Sequence, residues 1–297
     1  MAKKVVGLIV NPVAGMGGSV GLKGTDGEMY RRALELGAEP VTPERTRQVL
    51  DHIERKDAVI LLVAPGAMGE VHASGLEIPT RVVGAIGEET SAKDTKRIAK
   101  QMVERGSEEG WTADLLIFVG GDGTARDVCD AVDASIPVVG VPAGVKVFSS
   151  AFALSARAAA DMIDAFIVGT DLTEEEVLDI DEEAFRADRL DSKLYGYLLV
   201  PEVRQFLQPG KAGSSVTKSS AESKKEIAEY ILEVMDPDIL YLLGPGTTVK
   251  AIVDELGLAK TLLGVDAVAD GDLVGNDVNE QAILTLFEQY DARKIIV

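Results

Sequence analysis

Three glycines and one carboxylate follow an apolar run near the middle of the chain, in the sequence Gly120-Gly-Asp-Gly-Thr124. The run before them predicts a buried strand, the glycines predict a tight turn, and residues 125–132 predict a helix. Glycine lets the backbone approach a ligand closely, and a helix N-terminus directs N–H groups and a positive dipole at one point. This combination suits a phosphate group, so we expect phosphate-binding positions at Gly120, Gly121, Gly123 and Thr124.

The carboxylate within this turn, Asp122, is the candidate catalytic group. A carboxylate repels phosphate unless it holds a metal ion or takes a proton from an attacking hydroxyl group. The motif therefore favours kinase chemistry over simple nucleotide binding, with Asp122 as the general base. The alternative is that the Asp122 side chain only caps the following helix.

A second glycine-rich segment, Asn11 to Gly27, follows the first predicted strand and is too long for a plain connector. We expect it to contact nucleotide, although Asn11 could instead hold a turn before Pro12. Two lysines, one in this segment and one after Pro142-Ala-Gly-Val, could each neutralise phosphate or point to solvent. The candidate binding positions from both segments are Asn11, Gly15, Gly17, Gly18, Lys23 and Lys146.

Other reactive residue types fit structural roles better. His52 and His72 lack the spacing of metal ligands, and no direct cluster of metal-binding side chains is expected. Cys129 is expected to be a buried structural thiol. Asp127, one turn into the predicted helix, is expected to be a solvated acid favoured by the helix dipole.

The elements that must position these residues alternate between strands and helices. Strands are predicted at 4–10, 58–64, 80–85, 114–119 and 136–141, with helices between them, which predicts an α/β fold with a mostly parallel, Rossmann-like N-terminal sheet. Ligands of such sheets lie beyond the carboxyl ends of the strands. The loops expected to converge there are Asn11–Gly27, Pro65–Glu70, Gly120–Thr124 and Pro142–Lys146.

The length of 297 residues favours two domains, which we place at residues 1–150 and 151–297. Helices are predicted at 151–168, 221–235 and 249–256, and strands at 193–200 and 239–243, so the second domain also reads as α/β. The sequence stops at Ile295-Ile-Val297 inside an expected strand, from which we expect a C-terminal truncation.

The stretch from Asp238 to Thr248 repeats the frame of the stretch from Asp114 to Thr124, and the register continues to Gly264-Val265. Asp122 aligns with Gly246, so the carboxylate is missing from the second copy. One interpretation is a second phosphate-type turn that faces the first. The other is that any two strand–turn–helix units look alike. On the first interpretation the second ligand-binding positions are Gly244, Gly246, Thr247 and Thr248.

Charge and composition limit the possible partners. The formal net charge of −19 argues against nucleic acid and anionic membranes. No apolar run reaches the ~18 residues of a membrane span. A single cysteine excludes an intrachain disulfide and suggests the cytoplasm. We therefore expect a cytoplasmic protein that binds small-molecule nucleotides and forms a homo-oligomer.

Taken together, these motifs resemble the superfamily of NAD kinases, diacylglycerol kinases and phosphofructokinases. The resemblance is closest to the ATP-NAD kinase-like group related to the acetoin catabolism protein AcoX, and it covers most of the chain. Besides the central turn, four blocks carry it: Asn11-Pro-Val-Ala-Gly-Met-Gly-Gly, Leu22-Lys-Gly-Thr-Asp-Gly27, Pro142-Ala-Gly-Val-Lys146 and Gly244-Pro-Gly-Thr-Thr248.

The resemblance implies transfer of a phosphoryl group from ATP, or from polyphosphate, to the 2′-hydroxyl of NAD, with Mg²⁺ accompanying the nucleotide phosphates. It also implies that Asp122 activates the acceptor hydroxyl. A kinase of another small hydroxylated metabolite and a non-catalytic nucleotide sensor are the alternatives. The chain departs from NAD kinases in its α/β second domain and in lacking their central Asn-Glu motif, since Asn279-Glu280 reads as a helix start.

Overall fold

A five-stranded parallel sheet forms the centre of the N-terminal half. The computed structural model describes residues 3–22, 28–104, 111–144, 147–180, 192–203, 206–207, 218–261 and 264–297. The strands lie in the order β3-β2-β1-β4-β5, and every neighbouring pair is parallel. This confirms the predicted α/β class with a mostly parallel sheet. The strands are β1 (Lys4–Val10), β2 (Val59–Val63), β3 (Thr80–Val82), β4 (Leu115–Gly120) and β5 (Val138–Pro142).

Helices connect these strands, and polar side chains fix where several of them begin. The helices are α1 (Met16–Ser19), α2 (Glu28–Glu35), α3 (Thr42–His52), α4 (Glu70–Ala73), α5 (Ala92–Val103), α6 (Asp122–Val132) and α7 (Ala156–Val168). A capping box formed by Ser91 and Asp94 is present at the start of α5. Ser155 caps α7 by accepting a hydrogen bond from the Ala158 N–H, 3.1 Å long.

The core of this half surrounds the central strands. Every residue of β4 is buried, which requires cover on both faces of the sheet. Helix α5 packs against α6, and α3 packs against α7. At the β5 side, the rings of Phe118 and Phe152 meet edge to face with centroids 5.3 Å apart.

The order of the strands places a crevice between β1 and β4. Chain order runs from β1 outward through β2 and β3 on one side, and from β4 to β5 on the other. The two connections therefore leave the sheet in opposite directions at this point, and the carboxyl ends of β1 and β4 lie side by side there. Ligands of parallel sheets bind at such a reversal.

Strands β6 (Leu172–Ile180) and β7 (Ser192–Pro201) form a separate antiparallel pair with a register shift between Val177 and Leu178. They belong to the first of two compact units, which comprises Met1–Gly18, Gly24–Ile180 and Ser192–Ala212. The predicted division at residue 150 stays a prediction.

The second compact unit comprises Ser19–Lys23, Asp181–Asp191 and Gly213–Val297. Its sheet has the order β10-β9-β8-β11, in which β8 and β11 are parallel and the other two pairs are antiparallel. Its elements are α8 (Lys218–Val234), β8 (Leu240–Leu243), α9 (Thr247–Glu255), β9 (Asp266–Ala269), β10 (Asp272–Gly275), α10 (Glu280–Phe287) and β11 (Arg293–Ile296).

Two helices of the first unit begin at residues that differ from the prediction. Helix α6 begins at Asp122 rather than at Ala125, so three of the five residues of the glycine motif lie in its first turn. Helix α7 begins at Ala156 rather than at 151, because Ser155 caps it and because Phe152 and Ala153 form bridges to Gly140 and Leu207.

The internal repeat holds for the order of elements but not for their direction. In the first copy, β4 and β5 are parallel neighbours, whereas β8 and β9 in the second copy are antiparallel. The turn before β9 is fixed by Lys260, whose buried ammonium group bonds to Asp266 at 3.0 Å and to the Gly264 carbonyl at 3.2 Å. The similarity of the two sequences therefore does not extend to a shared topology.

Candidate functional site

The ends of β1 and β4 are joined by the side chains predicted from sequence. The Asn11 side-chain amide donates to the Thr124 hydroxyl at 3.1 Å, and the backbone N–H of Asn11 donates to the Val119 carbonyl at 2.9 Å. The Asn11 carbonyl Oδ1 accepts the N–H of Val13, at 3.2 Å, so Asn11 also holds the turn before the glycine-rich segment. These bonds support the interpretation in which Asn11 holds a turn, and its contact with nucleotide stays a prediction.

Each glycine of the central turn has a distinct local environment. A Cβ on Gly120 would overlap with the Thr124 side chain, which is buried. The Gly120 carbonyl accepts the Ala143 N–H at 2.9 Å, and this joins the turn to the loop after β5. Gly121 is the N-cap of α6 with extended backbone, and a Cβ on it would contact no other group within 4 Å.

The Asp122 carboxylate is fixed by the segment that follows β5. It accepts the backbone N–H of Phe148, with 3.0 Å to Oδ2 and 3.2 Å to Oδ1. Oδ1 also accepts the backbone N–H of Ser149, at 2.8 Å, and the Ser149 hydroxyl, at 2.6 Å. Helix α6 has no side-chain cap, so the alternative role of Asp122 as a helix cap is wrong.

The sequence patterns did not single out Phe148 and Ser149. They lie 26 and 27 residues beyond Asp122 and belong to no spacing motif. The signal that could have found them is topological, since β4 and β5 are neighbours and the chain that leaves β5 must pass the turn that ends β4.

Gly15 connects the first glycine-rich segment to the same loop. Its φ of +80° lies in the left-handed region, and a Cβ would overlap with the backbone carbonyl of Ala143. Gly17 and Gly18 lie in α1, which is a single four-residue turn. Two of the predicted binding residues, Lys23 and Lys146, lie outside the described residues.

We expect Gly15→Ala to unfold or distort this loop cluster, whereas Gly18→Ala should be tolerated. The first substitution adds both a steric overlap with backbone and a strained φ, which together cost about 2–3 kcal/mol or more. At Gly18, the position that a methyl group would take has no other group within 4 Å, and φ is not positive. Denaturant unfolding of both variants, followed by the fluorescence of Trp111, checks this expectation. Equal midpoints for the two variants would contradict it.

The predicted second turn, in the other compact unit, has packing reasons for its glycines. A Cβ on Gly244 would meet the side chain of Val297, and the Gly244 N–H donates to the Ile296 carbonyl at 2.8 Å. Gly246 has a φ of +131° and is the N-cap of α9. Thr247 and Thr248 form the first turn of that helix, and their role in ligand binding stays a prediction.

A cation that the sequence patterns did not select lies beside the loop after β5. Arg45 lines a cavity of about 170 Å³ in the first unit. No described residue offers its guanidinium a hydrogen bond or ion pair. Its helical neighbours one turn away, Val41 and Val49, are apolar, so its own helix supplies no acid there. The other described lining residues are Pro142, Gly144, Val147, Leu154, Ser155 and Ala156.

Ionisable groups around the turn have structural partners. Asp127 is not the solvated acid that was predicted, because Lys96 lies 3.4 Å from its carboxylate and burial raises the pKa of that carboxyl. Burial, together with the neighbouring Asp130, raises the pKa of the Cys129 thiol, which favours the unreactive form. Burial lowers the pKa of His72, which contacts the Ala67 carbonyl.

The described residues do not fit a magnesium site built from protein ligands. Among them there is no group of three or more His, Cys, Asp or Glu side chains that could hold a metal ion. Mg²⁺ is commonly held largely by substrate phosphates and water, with one or two carboxylates. Its arrival with the nucleotide therefore stays an expectation.

Comparison with known families gives one match. Residues 6–170, more than half of the chain, match the family described as ATP-NAD kinase N-terminal domain. No curated protein matches the chain. Within the described ranges, none of the helices combines the length and apolar character needed to cross a bilayer. The matched region contains the parallel sheet from Val6 of β1 onward and the turn at Asp122. The chain belongs to the ATP-NAD kinase family.

Proposed function

We propose that this protein is a kinase that transfers a phosphoryl group from ATP, or from polyphosphate, to the 2′-hydroxyl of NAD and so forms NADP. The observation that carries the proposal is the position of Asp122. Its carboxylate is fixed by three protein donors at the crevice between β1 and β4, directly beside the turn that suits a phosphate. The family membership of the chain supports the same reaction class.

The proposed reaction forms one bond and breaks one bond. The 2′-oxygen of the ribose attacks the terminal phosphorus of the donor, and the bond from that phosphorus to the bridging oxygen breaks. Asp122 takes the proton of the hydroxyl group as the new bond forms. Enzymes of this kind gain most of their acceleration from positioning and electrostatic stabilisation.

The backbone around the crevice supports the binding half of the proposal. Thr124 and Asn11 are bonded to one another, which fixes the ends of β1 and β4 in one arrangement. The Ala143 N–H bonds to Gly120 and the Ala143 carbonyl packs against Gly15, so three loops share one rigid base. A fixed base limits the ordering cost when a nucleotide binds.

We expect Arg45 to contribute to holding the anionic donor or acceptor. In a chain with a net charge of −19, a guanidinium that has no partner among the described residues and lies beside the loop after β5 is a local source of attraction for phosphate. Arg45→Met should raise the dissociation constant for nucleotide about tenfold, as expected for one lost charged contact. Calorimetric titration with ATP checks this expectation.

The control is Arg47→Met on the same helix. Arg47 already bonds to Asp51 at 3.1 Å and to the Ser74 carbonyl at 3.1 Å. Its loss should leave nucleotide affinity unchanged within twofold. If the two substitutions raised the dissociation constant equally, the lost affinity would reflect the change in net charge and not a contact between Arg45 and the nucleotide.

The acceptor is tested with NAD and an NAD analogue that lacks the 2′-hydroxyl. We expect NADP from NAD with ATP or polyphosphate as donor, and no phosphoryl transfer to the analogue, which should inhibit by competing with NAD. Transfer to a different hydroxylated metabolite, with none to NAD, would replace the acceptor. Nucleotide binding without turnover of any acceptor would favour a sensor.

A further inference from the structure

The hydroxyl group of Ser149 lies between Asp122 and the backbone of β6. Its oxygen is 2.6 Å from Asp122 Oδ1, and the backbone N–H of Leu178 donates to it from 3.0 Å. Ser149 is only 1% exposed, so water does not compete for these bonds. Two consecutive hydrogen bonds therefore connect the β6 backbone, through the Ser149 hydroxyl, to the Asp122 carboxylate.

The donor and the acceptor in each of these two hydrogen bonds follow from the number of hydrogens available. A serine hydroxyl has one hydrogen to donate and can accept from others. The Leu178 N–H can only donate, so the Ser149 oxygen is the acceptor in that bond. Its single hydrogen is then left for the ionised carboxylate, which can only accept. The distance of 2.6 Å is the length expected for a hydroxyl that donates to a charged oxygen.

The two oxygens of Asp122 are consequently unequal. Oδ1 accepts from the Ser149 hydroxyl and the Ser149 N–H and lies 3.2 Å from the Phe148 nitrogen. Oδ2 accepts from the Phe148 N–H alone among the described groups, at 3.0 Å. Oδ2 therefore keeps the lone pair that a hydroxyl proton can reach.

We infer that Ser149 is a positioning residue that orients Asp122 so that Oδ2 receives the proton of the acceptor hydroxyl. This inference rests on the proposed function. Ser149 does not touch substrate in this role. It acts by holding Oδ1 in place through the hydrogen bond from its hydroxyl group.

Two charged side chains that follow Asp122 on α6 are paired with groups on neighbouring elements. On α6, Arg126 forms an ion pair with Asp179 of β6, and Asp127 pairs with Lys96 of α5. These pairs remain intact when Ser149 is replaced, because Ser149 bonds to none of the four side chains in the described structure. The test therefore isolates the hydroxyl group.

The neighbouring residue provides a matched control. Ser150 is 5% exposed and accepts the Glu176 N–H at 2.9 Å, so it too connects this segment to β6. Its hydroxyl has Glu176 as its described partner and does not reach Asp122. Ser149→Ala and Ser150→Ala should therefore cost similar stability and differ in their effect on the carboxylate.

The decisive readout is the NMR chemical shift of the Asp122 carboxyl carbon at neutral pH in protein labelled at aspartate, with Asp122→Asn used for assignment. We expect Ser149→Ala to displace this resonance, because Oδ1 loses a hydrogen-bond donor, and Ser150→Ala to leave it at the wild-type position. Ser149→Ala should also reduce kcat about tenfold, the effect of one lost hydrogen bond to a charged group, while the dissociation constant for ATP stays unchanged. Equal resonance positions for the two variants would overturn the inference.

A second variant covers the case in which Ser149→Ala does not fold. Should Ser149→Ala not fold, Ser149→Cys retains a similar shape with a weaker donor and should give a smaller shift in the same direction. No shift with cysteine would also overturn the inference. The NMR measurement requires no turnover, so an inactive wild-type protein would refute the proposed function while the role of Ser149 is still decided.

Discussion

Asp122→Asn should lower the rate of NADP formation about 10²–10⁴-fold while nucleotide affinity stays similar or increases. Asparagine can keep one acceptor oxygen for the donors from Phe148 and Ser149, so the local structure should survive. The amide cannot take a proton from the acceptor hydroxyl, and loss of a general base has an effect of this size. Removing the negative charge also removes a repulsion toward phosphate.

The measurement compares kcat from NADP formation with the dissociation constant for ATP from calorimetry. Asp127→Asn is the control, because it removes an acid one turn further along α6 whose partner is Lys96. We expect the control to change kcat less than threefold. An Asp122→Asn protein that keeps more than a tenth of the wild-type rate would show that Asp122 is not the base.

Lys260→Met should be the most destabilising single substitution that we predict in the second compact unit. Lys260 and Asp266 are an ion pair with both side chains fully buried. Removing one partner leaves an uncompensated buried charge, which costs about 3–5 kcal/mol. Asp266 would still accept from the Thr261 N–H at 2.9 Å and the Asp277 N–H at 2.7 Å, but the Thr261 and Gly264 carbonyls would lose the ammonium group.

Hydrogen exchange at the amides of β8 and β9 measures this loss in the unit concerned. Global unfolding of a chain with two compact units need not be two-state, and Trp111 reports only on the first unit. Lys250→Met is the control, since Lys250 pairs with Asp254 on an exposed helix face and such a pair is worth less than about 1 kcal/mol. Equal exchange rates in the two variants would contradict a structural role for the buried pair.

The parallel sheet and the approach of the Asn11 segment to the glycine turn follow from sequence, because both depend on local patterns. Alternation of apolar strands with helices predicts parallel neighbours, and the carboxyl ends of β1 and β4 carry Asn11 and the glycine turn. The capping of α5 by Ser91 and of α10 by Asn279 also follows from residue type at a helix start. These features need no knowledge of distant contacts.

The contacts that fix the Asp122 carboxylate do not follow from sequence. The bonds from Phe148 and Ser149 to Asp122 depend on the path of the chain after β5, which no local pattern encodes. The proposal that Arg45 binds an anion could not have come from sequence either. It depends on the absence of a described partner and on a cavity formed by residues far from Arg45 in the chain.

The repeated glycine turn shows a different limit of sequence comparison. Gly120 is required because Thr124 packs against it, whereas Gly244 is required because Val297, the residue after β11, packs against it. Two unrelated packing demands can select the same residue type at aligned positions. Sequence similarity at the level of strand, turn and helix also carried no information about the direction of β9, which is antiparallel to β8.

The central claim is that the protein phosphorylates the 2′-hydroxyl of NAD, with Asp122 as the general base. Its most direct test is the transfer of label from ATP carrying ³²P at the terminal phosphate to NAD, with the product identified by a dehydrogenase that accepts only NADP. We predict labelled NADP from the wild-type protein in amounts that exceed the enzyme over repeated turnovers, and none above background from Asp122→Asn. Label that fails to reach NAD with the wild-type protein, while unlabelled polyphosphate also yields no NADP, would contradict the claim.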